Sequence, residues 1–268
     1  MVQGQPGGRG GATLNSNLPT ETGAARHHDP LHVRILDNYP GIRAFIASAH
    51  TVLPLPLSRW AYRLGRALVF RDPRREGFEQ AMFQVVMAGG EGDYLEFGVH
   101  RGVSVVLAHD LAQHLGLRRM RFFAFDSFEG LPEGEGTKFF AGRFRFPVDR
   151  FLRYIARAGV DLARVFPVQG WFSDTLTPRF VQEYRLERIA IAHVDCDLYA
   201  STRDVLAFLE TRLSPGSVVI FDDWYAYDDE ADPSQFGEQR ALAESSLRDR
   251  LELLYDLPGV HRIFVVRG

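Results

Sequence analysis

Two short stretches constrain this chain more than any other. Ile189-Ala190-Ile191-Ala192-His193-Val194 is an apolar run followed at once by Asp195, Cys196 and Asp197. Val218-Val219-Ile220-Phe221 is a second such run, followed by Asp222 and Asp223. A short apolar run rich in β-branched residues predicts a strand buried on both faces, as in a parallel sheet. A parallel strand that ends in carboxylates delivers them to the carboxyl edge of its sheet, where open α/β sheets bind ligands. Both runs therefore predict floor strands of one site.

The flanking sequence supplies the rest of such a sheet. Tyr94–Phe97 reads as a strand, Gly98–Gly102 as a turn and Ser104–Leu115 as a helix with Val105, Val106 and Leu111 inward. Further strands are predicted over Arg121–Phe125 and Val165–Val168, and helices over Phe151–Ala158, Thr175–Tyr184, Ser201–Leu213 and Gln235–Arg250. Leu251–Asp256 and Arg262–Val266 flank Pro258-Gly259, a hairpin signal. Glu129–Arg143 is a long Gly-rich and charged loop, of a kind that is usually functional. Strands alternating with helices predict an α/β fold: a Rossmann-like, seven-stranded, mostly parallel sheet with helices on both faces and an antiparallel C-terminal hairpin strand.

Upstream the texture differs. Residues 1–29 hold few large apolar groups and are expected to be disordered. Residues 30–90 are expected to form a helical extension or lid. Ile42, Phe45, Ile46 and Ala49 recur at helical spacing, Pro54 and Pro56 interrupt, and Ser58 caps a helix carrying Trp60, Leu64, Ala67 and Leu68. A further helix is predicted over Arg75–Met87. Residues 91–268 form the main domain.

The totals exclude several classes. A net charge of −3 gives no reason to expect nucleic acid as a partner. Cys196 is the single cysteine, so neither an internal disulfide nor a Cys-rich zinc site is expected. No apolar run reaches the roughly 18 residues of a membrane span. The first residues lack the pattern of a secretory signal, so a cytoplasmic location is expected.

Glu96-Phe97-Gly98-Val99-His100-Arg101-Gly102-Val103-Ser104 stands between a predicted strand and helix. Gly98 permits a tight turn, and Gly102 is expected to let a ligand approach the helix start. Free N–H groups there suit a carboxylate, and Ser104 offers a hydroxyl. The G-x-G-x-x-G spacing of a dinucleotide site is absent. Asp126, at the end of the second strand, is placed to accept from ribose hydroxyls. Gly170-Trp171-Phe172 follows the third strand and offers an aromatic wall for adenine. A carboxylate cradle, a ribose acid and an aromatic wall in this order point to S-adenosylmethionine.

The chain resembles the macrocin O-methyltransferase (TylF-type) family of class I methyltransferases. The resemblance lies in Leu95–Ser104, Asp126-Ser127-Phe128-Glu129-Gly130-Leu131-Pro132, Gly170–Leu176, Asp195-Cys196-Asp197-Leu198-Tyr199 and Asp222-Asp223, in family order over roughly residues 90–245. It implies S-adenosylmethionine bound by Glu96, Gly98, Gly102, Ser104, Asp126, Ser127, Gly170, Trp171 and Phe172. It implies a divalent cation, usually Mg2+, held by Asp195, Asp222 and Asp223. It also implies methyl transfer to a sugar hydroxyl of a natural product or glycolipid, and a homo-oligomer. Cys196 departs from the small residue expected there, and Trp224–Phe236 is more acidic than the family pattern.

Three strand-end carboxylates suit a hard cation that keeps waters. Leu198 stands where the related metal-dependent catechol methyltransferases carry a lysine. The only lysine, Lys138, lies in the long loop. The base is therefore expected to be Asp195 itself or His100, and His193 is expected to be a buried structural histidine. Two other readings share the sheet: an NAD(P)-dependent oxidoreductase, and a non-catalytic S-adenosylmethionine-binding domain.

Overall fold

The run Ile189–Val194 forms a strand buried at every residue, as its unbroken apolar pattern requires. In a computed structural model of the chain, the structure describes residues 72–132 and 138–268, together with Leu57. The expectations for the tail and for the helices before residue 72 lie outside the described residues.

The elements follow in order: α1 (Arg75–Met87), β1 (Asp93–Phe97), α2 (Val103–His114), β2 (Phe122–Asp126), α3 (Val148–Ala158) and β3 (Val165–Gln169). Then come α4 (Phe172–Thr175), α5 (Pro178–Tyr184), β4 (Ile189–Val194), α6 (Tyr199–Leu209), β5 (Val218–Phe221), α7 (Gly237–Glu244), β6 (Leu251–Leu257) and β7 (His261–Val266). The sheet runs β3-β2-β1-β4-β5-β7-β6. The pairs among β1 to β5 are parallel, and β7 is antiparallel to both β5 and β6. The expected Rossmann-like sheet with its C-terminal hairpin is the observed one. The order reverses between β1 and β4, the switch point at which such sheets open a crevice.

Alternation along the strands feeds two cores. Tyr94, Phe122, Ile191 and Ile220 face α1, α2 and α3, where Phe78, Met82, Val105, Leu107, Phe151 and Ile155 are buried. Leu95, Phe97, Phe123, Ala192 and Val219 face the other side, against Phe180, Val205, Leu206 and Leu242. Each buried Val, Leu, Ile, Met or Phe among them contributes roughly 1.5–3 kcal/mol by leaving water. α1 lies within the stretch expected as an extension, and it is packed into the first of these cores.

Three predicted helices break or end earlier than expected, two of them at capping residues. The helix expected over Thr175–Tyr184 is two, because Thr177 caps a new start by accepting the Phe180 N–H at 3.3 Å and Pro178 takes the first position. The one expected to reach Arg250 ends at Glu244. Ser245 then accepts the Leu247 N–H at 3.1 Å and starts a 3-10 turn. α6 begins at Tyr199 and ends at Leu209, four residues short of the expected Leu213.

Candidate active site

The carboxyl ends of β1, β2 and β3 form one half of the crevice. Gly98 leaves β1 with φ +89°, and a Cβ there would stand 1.8 Å from the Asp195 carbonyl oxygen. Glycine at 98 thus lets the ends of β1 and β4 touch, where the Asp195 N–H also donates to the Phe97 carbonyl at 2.9 Å. Gly102 has a different reason from the one expected. A Cβ there would strike Phe151 and Ile155 at 2.6 and 2.7 Å, so the packing of α3 demands glycine.

Glu96 and Ser104 also serve the interior. The Ser104 hydroxyl donates to Glu96 Oε1 at 2.5 Å, and the Tyr94 hydroxyl donates to Oε2 at 2.6 Å. All three are buried, so the hydroxyl expected to meet a ligand is committed to a carboxylate. Asp126 is bound by backbone: Oδ2 accepts from Val99 and His100 N–H at 2.9 and 3.0 Å, and Oδ1 from Phe128 N–H at 2.7 Å. Ser127 donates to the Gly130 carbonyl at 2.9 Å and accepts the Glu129 N–H at 3.1 Å. Trp171 is 38% exposed, and Phe172 stands edge-on to Phe97 with centroids 6.0 Å apart.

These elements enclose a cavity of about 400 Å³. Gly98, His100, Asp126, Ser127, Gly170, Trp171 and Phe172 line it from the first half, and Asp195, Cys196, Asp197 and Asp223 from the second. Of the residues singled out in the sequence, Glu96, Gly102, Ser104 and Asp222 are not on its wall.

In the second half, carboxylates crowd one another. Burial pushes Asp195 well up, and Asp222 and Asp223 push it further. Burial and Asp222 raise Asp223 to about 7; burial and Asp223 raise Asp197 to about 8. Asp222 goes the other way. Burial would raise it, but bonding to His193 and the charge of Arg74 outweigh that and hold it low. Its Oδ1 lies 3.4 Å from His193 Nε2 and its Oδ2 lies 3.6 Å from Arg74 Nη1. Asp223 Oδ2 accepts the Asp197 N–H at 2.8 Å, which holds Asp197 at φ +59°.

Among the described residues, one set of three can bring its ligand atoms within 4.8 Å of one another: His193, Asp195 and Asp222. It shares Asp195 and Asp222 with the expected trio and has His193 in place of Asp223. The donor set fits a divalent cation, because the charge of Asp222 and Asp223 that pushes Asp195 up would be relieved by positive charge between them.

Sequence reasoning missed three groups. Asp197, two residues beyond Asp195, has no place in the expected site, and it lines the cavity; the i, i+2 spacing is its signal. Arg74 pairs with both Asp72 and Asp222, and nothing local marks the second partner. Glu238 is 1% exposed, and among the described residues neither of its carboxyl oxygens has a hydrogen-bond partner. Burial, then Asp223, holds its pKa well up. His100, at φ +43°, lies beside Phe144 and Phe146 with centroids 5.6 and 5.8 Å away. Burial and Arg101 lower its pKa. Lys138 donates to the Ala226 carbonyl at 3.0 Å and pairs with Asp229, so it ties the long loop to the acidic one.

Among the described residues no helix is long and apolar enough to cross a membrane. The chain is 34% identical over 174 residues to the 8-demethyl-8-(2,3-dimethoxy-alpha-L-rhamnosyl)-tetracenomycin-C 4'-O-methyltransferase of Streptomyces olivaceus, covering 58% of this chain and 61% of that one. It is 29% identical over 162 residues to the demethyldecarbamoylnovobiocin O-methyltransferase of Streptomyces niveus, covering 56% and 60%. The chain thus spans about three fifths of the length of these curated relatives. Among solved structures, the calicheamicin methyltransferase CalS11 shares the fold with a TM-score of 0.65 at 23% identity, over 89% of this chain and 94% of that one. Residues 63–245 match the macrocin-O-methyltransferase (TylF) family, and the chain belongs to it.

Proposed function

We propose that this protein transfers the methyl group of S-adenosylmethionine to a hydroxyl of a sugar carried by a natural product or glycolipid, with the help of Mg2+ or another divalent cation. The observation that carries the reading is the cavity at the switch point, walled by Trp171 and Phe172 on one side and by Asp195, Asp197 and Asp223 on the other. Its volume and aromatic wall suit a nucleoside, and the G-x-G-x-x-G cradle that a pyrophosphate requires is missing. The named activities of the relatives point the same way.

Asp195 and Asp222 would hold the cation, with Asp223 beside them. The cation, when bound, supplies a Lewis acid that makes a sugar hydroxyl easier to deprotonate. The chain's own residues do the rest. Gly98 and Gly170 leave room for the cofactor backbone, and Trp171 and Phe172 flank its ring. The two half-sites set the acceptor oxygen in line with the methyl group, and positioning of this kind lowers a barrier by several kcal/mol. With Asp195 engaged as a ligand, Asp197, which lines the same cavity, is placed to take the proton. His100, whose lowered pKa keeps it neutral at pH 7, is the alternative acceptor.

The test is transfer of labelled methyl to a panel of glycosides, with and without EDTA. Activity should require the divalent ion and fall in Asp222→Ala. Activity indifferent to both would remove the metal from the reading. Calorimetry with S-adenosylmethionine against NAD(P) separates this reading from an oxidoreductase, and binding without turnover across a broad panel would indicate a non-catalytic domain.

A further inference from the structure

His193 was expected to be structural, and its hydrogen bonds say more. Glu96 stands directly opposite it across the β1–β4 pairing. The Tyr94 hydroxyl has a single proton, and Glu96 Oε2 takes it at 2.6 Å. The Tyr94 oxygen is also 3.0 Å from His193 Nδ1. With the phenolic proton already given to a carboxylate, that contact is a hydrogen bond only if Nδ1 carries a proton and donates it. Nδ1 is therefore the inward donor, and Nε2 is the nitrogen turned toward Asp222 Oδ1 at 3.4 Å.

The ring is fixed in this pose. His193, Tyr94, Glu96 and Phe78 are all 0% exposed, and Phe78 meets the imidazole edge-on with centroids 5.1 Å apart. The arrangement matches the support that metal-ligating histidines receive, in which the far nitrogen donates into a chain ending on a carboxylate.

We propose that His193 Nε2 is a direct ligand of the cation, together with Asp195 and Asp222, so that the centre has one nitrogen and at least two carboxylates. This rests on the reading above that a divalent cation binds at these residues. It changes the metal: an imidazole ligand favours a first-row transition ion over Mg2+, whose preferred ligands are oxygen, and Mn2+ serves as the probe of that class. A cation on Nε2 excludes a proton there, as metal binding to an imidazole generally does.

The test uses the full chain with Mn2+ alone and reads the metal by pulsed electron paramagnetic resonance. Bound Mn2+ should show modulation from a directly coordinated 14N, and growth on 15N-histidine should convert it to the 15N pattern. His193→Asn should lose the coupling and bind Mn2+ roughly tenfold or more weakly, with a smaller change for Mg2+. Should that variant fold poorly by circular dichroism, His193→Gln and the labelled wild-type chain carry the test. Mn2+ bound without nitrogen coupling overturns His193 as a ligand and leaves the metal reading standing. Failure to bind Mn2+ overturns both.

Discussion

At the ends of β1 and β2 an acid meets backbone; at the ends of β4 and β5 acids meet one another. Asp126 takes three backbone N–H groups within 3.0 Å, donors fixed by the fold and present whether or not a ligand is bound. Asp195, Asp197 and Asp223 sit among carboxylates, with Arg74 and His193 as nearby positive charge. The first half is complete by itself. The second is crowded with like charge, an imbalance that the proposed cation would relieve. If the contrast holds, substitutions in the two halves should move stability in opposite directions.

The largest effect is expected where the halves touch. Gly98→Ala puts a Cβ into the Asp195 carbonyl oxygen at a left-handed φ, so backbone must move in β1 or β4. A loss of about 4 kcal/mol is expected, at the upper end for single substitutions. Urea denaturation of the metal-free protein measures it. A loss under about 1 kcal/mol would mean that the two strand ends are not rigidly joined.

Next is Asp126→Asn. One amide oxygen replaces two carboxylate oxygens, and the new NH2 faces an N–H it cannot bond. Bonds to a charged group are worth about 1.5–3 kcal/mol, so a loss of about 2 kcal/mol is expected with or without metal. A neutral result would show that ordered water replaces the carboxylate there.

Asp223→Asn should do the reverse. The amide oxygen can still accept the Asp197 N–H, and a repelling charge is gone. The metal-free protein should melt about 2–4 °C higher at pH 8, the shift that about 1 kcal/mol produces in a domain of this size. The pH profile follows in sign. Asp223 and Asp197 have folded pKa values of about 7 and about 8, above their unfolded value of 3.8. Their contribution is fully present below pH 3.8 and is lost as pH rises through 7 and 8. His193, lifted by Asp222 and Glu96 to about 10 against its burial, adds the same sign above pH 6.5. The metal-free protein should therefore lose stability between pH 6 and 9, less so in Asp223→Asn, while saturating Mn2+ should flatten the decline. A rise in melting temperature over that range would contradict the crowded half.

How much of this was legible follows from how local each signal is. The sheet was readable because an apolar run and its terminal aspartates lie within ten residues. The turn at Gly98 was readable as well, but the atom it makes way for belongs to Asp195 on another strand. At Gly102 the contact that demands glycine comes from Phe151 and Ile155, on a helix that sequence alone does not dock. The breaks at Thr177-Pro178 and Ser245 were written in capping residues and were passed over for apolar periodicity. The pairing of Tyr94 with His193 spans 99 positions, and that of Arg74 with Asp222 reaches from before β1 to just after β5; no pattern in one sequence encodes either.

The smallest expected effect sharpens the comparison from the cofactor side. Trp171 stands immediately before α4, just past β3, lines the cavity and is 38% exposed. A side chain this open contributes little to the core, so Trp171→Ala should leave stability within about 0.5 kcal/mol. An aromatic ring stacked on adenine is worth roughly 1 kcal/mol, so S-adenosylmethionine should bind about fivefold more weakly by calorimetry, with Mn2+ affinity unchanged. Equal cofactor affinity in the variant would place the adenine elsewhere in the cavity. A matching loss of Mn2+ affinity would show that the two halves, so differently built, nevertheless bind as one.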